Sequence, residues 1–494
     1  MSSASESTLG DKKILIGEAN LLPPTLPSLD DYAVTFDGPD DPTHPYNWKF
    51  STKLLTAIIS CSGTFIVTLT SGILAPGIDI VSKEFDVGSE VGTLSTSLYV
   101  LGFACAPMIW APGSELCGRK WLLTIAMLGG GIFTIGSAAA KDIQTLIICR
   151  FFTGICGACQ LTVVPGLMTD LFDTIYRGVA ITAYALTVFI GPLAGPIFGG
   201  FITKSDLGWR WTLYISAICS FLNGALSIFF LKETYAPCIL IKKAKGLREM
   251  TGNWGIHAKQ EKIEFDFMNL AEKYFTRPLR LLVTELILLL VSLYMTFIYA
   301  LVYALLEAYP FIFQKVYGMS LGVDSLPFIG VILGQLLGFG YIVCQQKSYA
   351  KKLAENNNIP VPEWRLSPPL LGGPVFTIGI FWLGWTGFTA EIPWQAPAAA
   401  GIFIGFGVIC VFVPCFVYIV DSYLPISASA VAANIILRSS VAAGFPMFTT
   451  QMFEKLGIQW ACILLGCLAA LMIPIPYAFR SYGKLLRERS KLFQ

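Results

Sequence analysis

Residues 281–304, LLVTELILLLVSLYMTFIYALVYA, carry one charged side chain, Glu285, in an otherwise apolar run. A helix needs about 20 apolar residues to cross the hydrocarbon core of a bilayer, which is about 30 Å thick. The whole chain has this character, since 54% of its 494 residues are hydrophobic and 13% are charged. A soluble domain has about 25% charged residues. The sequence therefore predicts an all-α integral membrane protein.

Runs of this kind recur along the chain and predict twelve transmembrane helices. They are residues 54–76, 91–112, 121–139, 145–168, 178–201, 211–231, 281–304, 321–345, 370–388, 395–419, 427–449 and 457–479. The longest polar stretch between spans follows the sixth and divides the twelve into a 6+6 arrangement. The predicted domains are a tail (1–53), a first six-helix bundle (54–231), a central loop (232–280), a second bundle (281–479) and a C-terminal tail (480–494).

The distribution of lysine and arginine supports this topology, because positive residues accumulate on the cytoplasmic side of a membrane. With both termini inside, the cytoplasmic segments hold 26 of the 34 basic residues and the opposite loops hold six. The two that remain, Arg150 and Arg438, lie within spans. An intramembrane charge is costly and usually functional, so both are expected to face the bundle interior. The structural alternatives are a tie of Arg150 to backbone carbonyls and a pair of Arg438 with Glu or Asp at a cytoplasmic helix end. Asn434 lies one turn before Arg438 on the same helix face.

Composition also excludes several classes of function. The net charge of +2 gives no bulk attraction for nucleic acid. The only histidines, His44 and His257, fall in the tail and the central loop, so no metal cluster or catalytic constellation is expected within the bilayer. No P-loop is present to power pumping by nucleotide hydrolysis. We therefore expect neither an enzyme nor a cofactor.

Two short motifs suggest moving parts. In GSELCGRK (113–120), Gly113 and Gly118 permit a tight turn, and Glu115 and Arg119 can form ion pairs that break when the bundle rearranges. A solvated turn that only anchors the helix ends is equally compatible with this pattern. In FIGPLAGPIFGG (189–200), glycines at fourfold spacing allow another helix to approach closely, and two prolines add kinks. The motif residues are Gly191, Pro192, Gly195, Pro196 and Gly199.

The acidic groups near the spans are few and lie close to helix ends. A site for polyvalent cations would place carboxylates deep in the bundle, where the sequence has Arg150 and Arg438 instead. Neutral amphipathic or anionic organic substrates are thus favoured over polyamines. We place Asn434, Arg438, Glu307 and Tyr309 at the substrate cavity.

These motifs resemble the major facilitator superfamily, specifically its fungal twelve-span drug:proton antiporters, over about residues 45 to 494. APGSELCGRK is similar to the loop motif after the second span. RFFTGICG, which begins at Arg150, is similar to the fourth-span motif, and DLFDTIYRG is similar to the charged end of that helix. GPLAGPIFGG is similar to the fifth-span antiporter motif. LGWRWTLYI, LKET, YALLEAYPFIF, FWLGWT and YIVDSYLPISASAVAANIILRS also read like this branch.

The resemblance implies a monomeric exporter of small organic molecules that exchanges them for protons by alternating access. It links Arg150 to proton coupling, and it places Glu115, Arg119, Asp170 and Arg177 at the cytoplasmic gate. The plasma membrane is favoured over the vacuolar membrane. Two alternatives remain open: an organic-acid or nutrient carrier, facilitative or inward, and a non-transporting membrane receptor of transporter descent.

Overall fold

The computed structural model describes residues 32–38, 40–262, 272–357, 361–423 and 426–489. The chain forms two compact units. The smaller unit comprises residues 1–47 and 236–265, and the larger unit comprises residues 48–235 and 266–494.

The smaller unit joins a tail segment to a helix of the central loop. Lys243 on this helix pairs with Asp37 at 2.8 Å and with Asp41 at 3.4 Å. The hydroxyl of Thr43 donates to Asp41, and together with backbone N–H donors it holds the pKa of that carboxyl well below its usual range. An isolated bridge pairs Ala33 with His257.

Helices make up nearly all of the larger unit, and a further α-helix, in the central loop, belongs to the smaller unit. In chain order, with the central-loop helix as α8, they are α1 Phe50–Gly72, α2 Ile78–Glu84, α3 Ser89–Cys117, α4 Arg119–Ala138, α5 Ile143–Leu171, α6 Thr174–Lys204, α7 Arg210–Phe230, α8 Ala236–Thr251, α9 Arg277–Thr284, α10 Leu286–Pro310, α11 Phe328–Glu355, α12 Ser367–Thr386, α13 Gln395–Ser422, α14 Ser427–Met472 and α15 Pro474–Arg489.

Within the described residues, ten helices are long and apolar enough to cross a membrane, and the bent helix α3 makes eleven. The last candidate, Ser427–Gly483, has 57 residues. At 1.5 Å per residue it is far too long for one crossing. Gly457, with φ 76°, breaks it into two helices that correspond to the predicted eleventh and twelfth spans. The division of this segment gives the twelve spans of the prediction.

Spans seven and eight begin later in the chain than predicted. The seventh begins after a break at Glu285, because Leu281 and Leu282 belong to the separate helix α9, and it continues to Pro310. The eighth begins at Phe328 rather than 321, because two glycines with positive φ, Gly318 and Gly322, keep the preceding segment out of a helix.

The first six and the last six spans are connected along four helices. Helix α3 packs against α14, and α6 packs against α11. We call the end of the bundle where α1 begins and α15 ends the terminal face, and the other end the opposite face. Each candidate site described below lies at one of these faces or midway between them.

Candidate functional site

A vestibule of 610 Å³ lies at the opposite face, between the ends of spans 1, 2, 7 and 11. Its charged residues are Asp79, Glu90, Glu307, Lys315 and Glu454. Glu454 accepts a 2.8 Å hydrogen bond from Lys315, and Glu90 accepts one from Gln451. The vestibule is therefore acidic, and the lysine that lines it is already paired.

The floor of the vestibule is a contact between spans 1 and 7. Tyr303 lies one turn below Glu307, and Ser71 lies one turn below Ala75, which also lines the vestibule. The hydroxyls of Ser71 and Tyr303 are 3.1 Å apart and hydrogen-bonded. Both side chains are fully buried, so this bond separates the vestibule from the middle of the bundle.

Arg150 lies directly behind this floor and is completely buried. Its guanidinium donates to three backbone carbonyls, those of Thr70 at 2.7 Å, Ser71 at 3.1 Å and Ser95 at 3.3 Å. The ring of Tyr99 lies 4.4 Å from its Cζ atom, and the Tyr99 hydroxyl donates to the carbonyl of Val67 at 2.8 Å. This cation, which has no carboxylate partner in the described part of the chain, is thus stabilised by carbonyl dipoles and a ring face.

Two of the three carbonyls that Arg150 binds, those of Thr70 and Ser71, are available because α1 ends there. The last four carbonyls of an α-helix lack partners within the helix. The carbonyl of Leu69, near the end of α1, accepts a hydrogen bond from the N–H of Ile73. The carbonyls of Thr70 and Ser71 instead accept hydrogen bonds from Arg150. Pro76 has no N–H to continue the helix. Arg150 therefore caps the break in the first span.

Arg438, in the second half, is also buried, at 3% exposure. Its Cζ lies 4.9 Å from the ring centroid of Tyr299 and 5.1 Å from that of Phe412. Within the described residues its guanidinium has no ion pair, and its Nε has no hydrogen-bond partner. It lines a cavity of 10 Å³ with Tyr184 and Phe412, between the two halves. The arginine faces the interior, as predicted, and its neighbours there are aromatic rings.

Of the other three residues predicted at the cavity, Glu307 lines the vestibule, and Asn434 and Tyr309 differ in role. The amide of Asn434 donates to the sulfur of Met295 at 3.6 Å, and its Oδ1 has no partner among the described residues. Tyr309 packs between Phe313 and Phe328, with ring centroids 5.5 and 4.5 Å away, and does not line the vestibule. In this conformation Tyr309 is a packing residue of the second half.

The glycines of FIGPLAGPIFGG bring spans 1 and 5 into backbone contact. A Cβ at Gly195 would lie 2.7 Å from the carbonyl of Leu69, and one at Gly191 would lie 2.8 Å from its N–H. A Cβ at Gly72 would overlap the carbonyl of Pro192. Pro192 and Pro196 lie inside α6, which continues through both.

A charged cluster ties spans 3, 4 and 6 together at the terminal face. Arg119 pairs with Asp170 and also donates to the carbonyl of Val163 at 3.2 Å. Glu233, at the end of span 6, accepts the backbone N–H groups of Arg119 at 2.9 Å and Lys120 at 3.1 Å. Gly118 has φ 83°, and a Cβ there would overlap the Glu233 carboxylate. Arg119 thus pairs with a neighbouring helix end.

A second cluster at the same face repeats this pattern in the other half. Arg365 at the start of span 9 pairs with Asp421 at the end of span 10, at 3.2 Å. Arg487 donates to both oxygens of Glu363, at 2.7 and 3.0 Å. The matching positions of Arg119–Asp170 and Arg365–Asp421 are those expected of two related halves.

Arg177 and Glu115 occupy different places at this face. Arg177 lies beside the second cluster, where its positive charge acts on Asp421. At the neighbouring Gly178, a Cβ would lie 2.9 Å from Oε1 of Gln346 in span 8. The start of span 5 therefore meets the second half here. Glu115 is half-buried on the last turn of α3.

Sequence reasoning missed Glu233 and the whole second cluster. The motif LKET was noted only as part of the resemblance, although its glutamate, Glu233, accepts hydrogen bonds from the backbone N–H groups of Arg119 and Lys120. For Arg365 the available signal was its position. It ends the basic loop between spans 8 and 9, which corresponds to GSELCGRK between spans 2 and 3.

Comparison with known proteins identifies the family. Residues 60–446 match the sequence profile of the Major Facilitator Superfamily. The chain belongs to this superfamily. A multidrug transporter of Candida glabrata, TPO1_2, is 44% identical over 96% of this chain and 82% of its own length. The multidrug transporter FLU1 of Candida albicans is 43% identical, over 96% and 78%. These relatives match the predicted fungal drug:proton antiporter branch.

A transporter of the citrinin biosynthesis cluster of Monascus ruber is 40% identical over 94% of this chain and 93% of its own length. Among solved structures, the proton:xylose symporter XylE has the same fold, with a TM-score of 0.64 and 16% identity over 90% of this chain and 100% of that one. The chain is therefore a multi-pass major facilitator transporter whose relatives include multidrug transporters.

Proposed function

We propose that this transporter exports small organic molecules, namely drugs, toxins or secondary metabolites, in exchange for protons by alternating access. The terminal face is cytoplasmic, the membrane is the plasma membrane and the protein acts as a monomer. The observation that carries the proposal is the direct contact of spans 1 and 5 along Gly191, Gly195 and Gly199. This is the segment that resembles the antiporter motif, and the names of the multidrug relatives agree with it.

The two charged clusters support a gate at the terminal face. Arg119 and Asp170 tie helices within the first half, and Arg365 and Asp421 do so within the second. Arg177 and Gly178 lie where the halves meet. In the alternating-access cycle this meeting point separates while each cluster keeps its own half together.

The surroundings of Arg438 support aromatic substrates that are neutral or anionic. Its guanidinium stacks near Tyr299 and Phe412, beside an apolar cavity. An aromatic substrate with a hydrogen-bond acceptor could take the place of part of this packing when the halves separate.

The test is gradient-driven efflux. We expect expression in a transporter-deleted yeast to confer resistance to some aromatic toxins or metabolites, and vesicles with an imposed pH gradient to move them. Arg150→Ala should reduce this gradient-driven transport by at least about tenfold, because α1 loses its cap and the link to span 7. If Arg150→Ala retained full coupling at normal expression, its coupling role would be wrong.

Counterflow without a gradient separates this proposal from a facilitative or inward carrier. A facilitative carrier would show the same net transport whether or not the gradient is present. A receptor of transporter descent would show neither efflux nor counterflow.

A further inference from the structure

Glu307 differs from the other acidic residues of the vestibule. Glu454 is paired with Lys315, Glu90 accepts a hydrogen bond from Gln451, and Asp79 accepts one from Ser89 at 3.3 Å. The Oε1 atom of Glu307 is shielded from solvent and has no hydrogen-bond partner among the described residues. Glu307 is thus the acid of this vestibule whose charge has the least support.

We propose that Glu307 binds the coupling proton from the opposite face and releases it to the other side of the membrane, and that Tyr303 and Ser71 transmit its protonation state to Arg150. This inference rests on the proposed proton exchange. The step is a proton transfer: a hydronium ion in the vestibule gives a proton to the carboxylate and becomes water, and the carboxylate becomes a neutral carboxylic acid. After reorientation the acid gives the proton to a water on the other side, which becomes hydronium, and the carboxylate is restored.

The chemistry of the position favours proton binding. A carboxylate that is removed from water and lacks donors is destabilised, and protonation removes the charge and supplies an O–H donor. The charged groups that face this space are Asp79 on α2, Glu90 on α3, Lys315 after α10 and Glu454 on α14. Asp79 acts electrostatically on Glu307. Lys315 is held by Glu454, so it does not neutralise Glu307.

The path from Glu307 to the arginine is short and buried. Glu307 and Tyr303 are four residues apart on α10 and therefore lie on one face of that helix. Tyr303 bonds to the hydroxyl of Ser71, and the carbonyl of the same Ser71 accepts from Arg150. A movement of α10 on protonation would thus strain the capped break of α1. Arg150, with all its contacts to carbonyls and a ring, responds to the proton without carrying it.

Infrared spectroscopy of the purified protein tests proton binding without any substrate. We expect the C=O stretching band of a carboxylic acid to appear as the pH falls from about 9 to about 5. Glu307→Gln should remove one component of this band, and Glu307→Asp should shift that component. Glu391→Gln is the matched control, since Glu391 is an exposed carboxylate on a loop of the same face. A band of unchanged shape and intensity in Glu307→Gln would overturn the proposal.

Transport in proteoliposomes tests coupling, with the anionic dye sulforhodamine B as the aromatic probe. Glu307→Gln should lower gradient-driven dye movement by about tenfold or more, and Glu307→Asp should restore part of it. Tyr303→Phe should keep the infrared band and lose part of the coupling. A thermal unfolding midpoint close to that of the wild type shows that Glu307→Gln is folded, and the control Glu391→Gln should keep the gradient-driven movement.

The two levels of failure are distinguishable. If the wild-type protein moves no dye in response to a gradient, the proposed proton exchange fails and the role of Glu307 fails with it. If the wild type is coupled and Glu307→Gln is equally coupled, the inference about Glu307 alone is wrong.

Discussion

Arg150 and Arg438 are both buried arginines of the membrane bundle, one in each half, yet their surroundings differ. Arg150 uses its donors on three backbone carbonyls and lies on Tyr99. Arg438 has two aromatic rings beside it and an Nε without a partner among the described residues, next to a cavity. The first arginine binds main-chain carbonyls that would otherwise lack donors, and the Nε–H of the second is bound by none of the described residues.

The comparison predicts the largest difference in stability. Arg150→Leu should lower the free energy of unfolding by about 3 kcal/mol, because it leaves buried carbonyls without donors. Arg438→Leu should change it by less than about 1 kcal/mol, because it removes a poorly compensated buried charge. Thermal unfolding of both variants in the same detergent measures this. Equal losses would show that the two arginines do the same structural work.

A second prediction concerns substrate affinity. Arg438→Leu should weaken the apparent affinity for an aromatic substrate by about tenfold, equivalent to about 1.4 kcal/mol of cation–π and hydrogen-bond energy. Arg438→Lys should recover part of it, since the charge is kept but the planar fork is lost. Concentration-dependent efflux at equal expression is the measurement. Unchanged affinity in Arg438→Leu would place the substrate elsewhere.

The smallest predicted effect is a difference in stability between variants of Tyr99 and Tyr299, the tyrosines beside the two arginines. Tyr99→Phe should destabilise the protein by about 1 kcal/mol, because its hydroxyl donates to the Val67 carbonyl. Tyr299→Phe should cost less than about 0.5 kcal/mol, because the Tyr299 hydroxyl has no partner among the described residues. The same unfolding assay applies to both. A larger loss for Tyr299→Phe would contradict the contrast.

Much of the architecture could be predicted because membrane helices leave a strong one-dimensional signal. Apolar length and the lysine and arginine census gave twelve spans, and the same census singled out Arg150 and Arg438. Helix ends were less predictable, since the apolar pair Leu281 and Leu282 belongs to a separate helix. The helical run beyond the membrane in α11 has no apolar signal at all.

The partners within the candidate site could not be predicted, because they are distant in sequence. Glu233 and Arg119 are more than one hundred residues apart in the sequence. A single charged residue at the end of a span does not indicate which residue it will contact. The contact of Arg150 with main-chain carbonyls was expected only as an alternative, and the sequence did not indicate which carbonyls, since any residue type supplies one. Its availability depends on where α1 breaks, which only the fold reveals.

The contact of spans 1 and 5 has a mechanical consequence. Most helix pairs interdigitate side chains as ridges in grooves, so sliding one helix past the other requires side chains to climb over one another. At Gly191, Gly195 and Gly199 one surface has no ridges, and backbone faces backbone. Friction between these two helices is therefore low. A small axial displacement of span 1, which carries the carbonyls bound by Arg150, can proceed there without repacking the rest of the bundle.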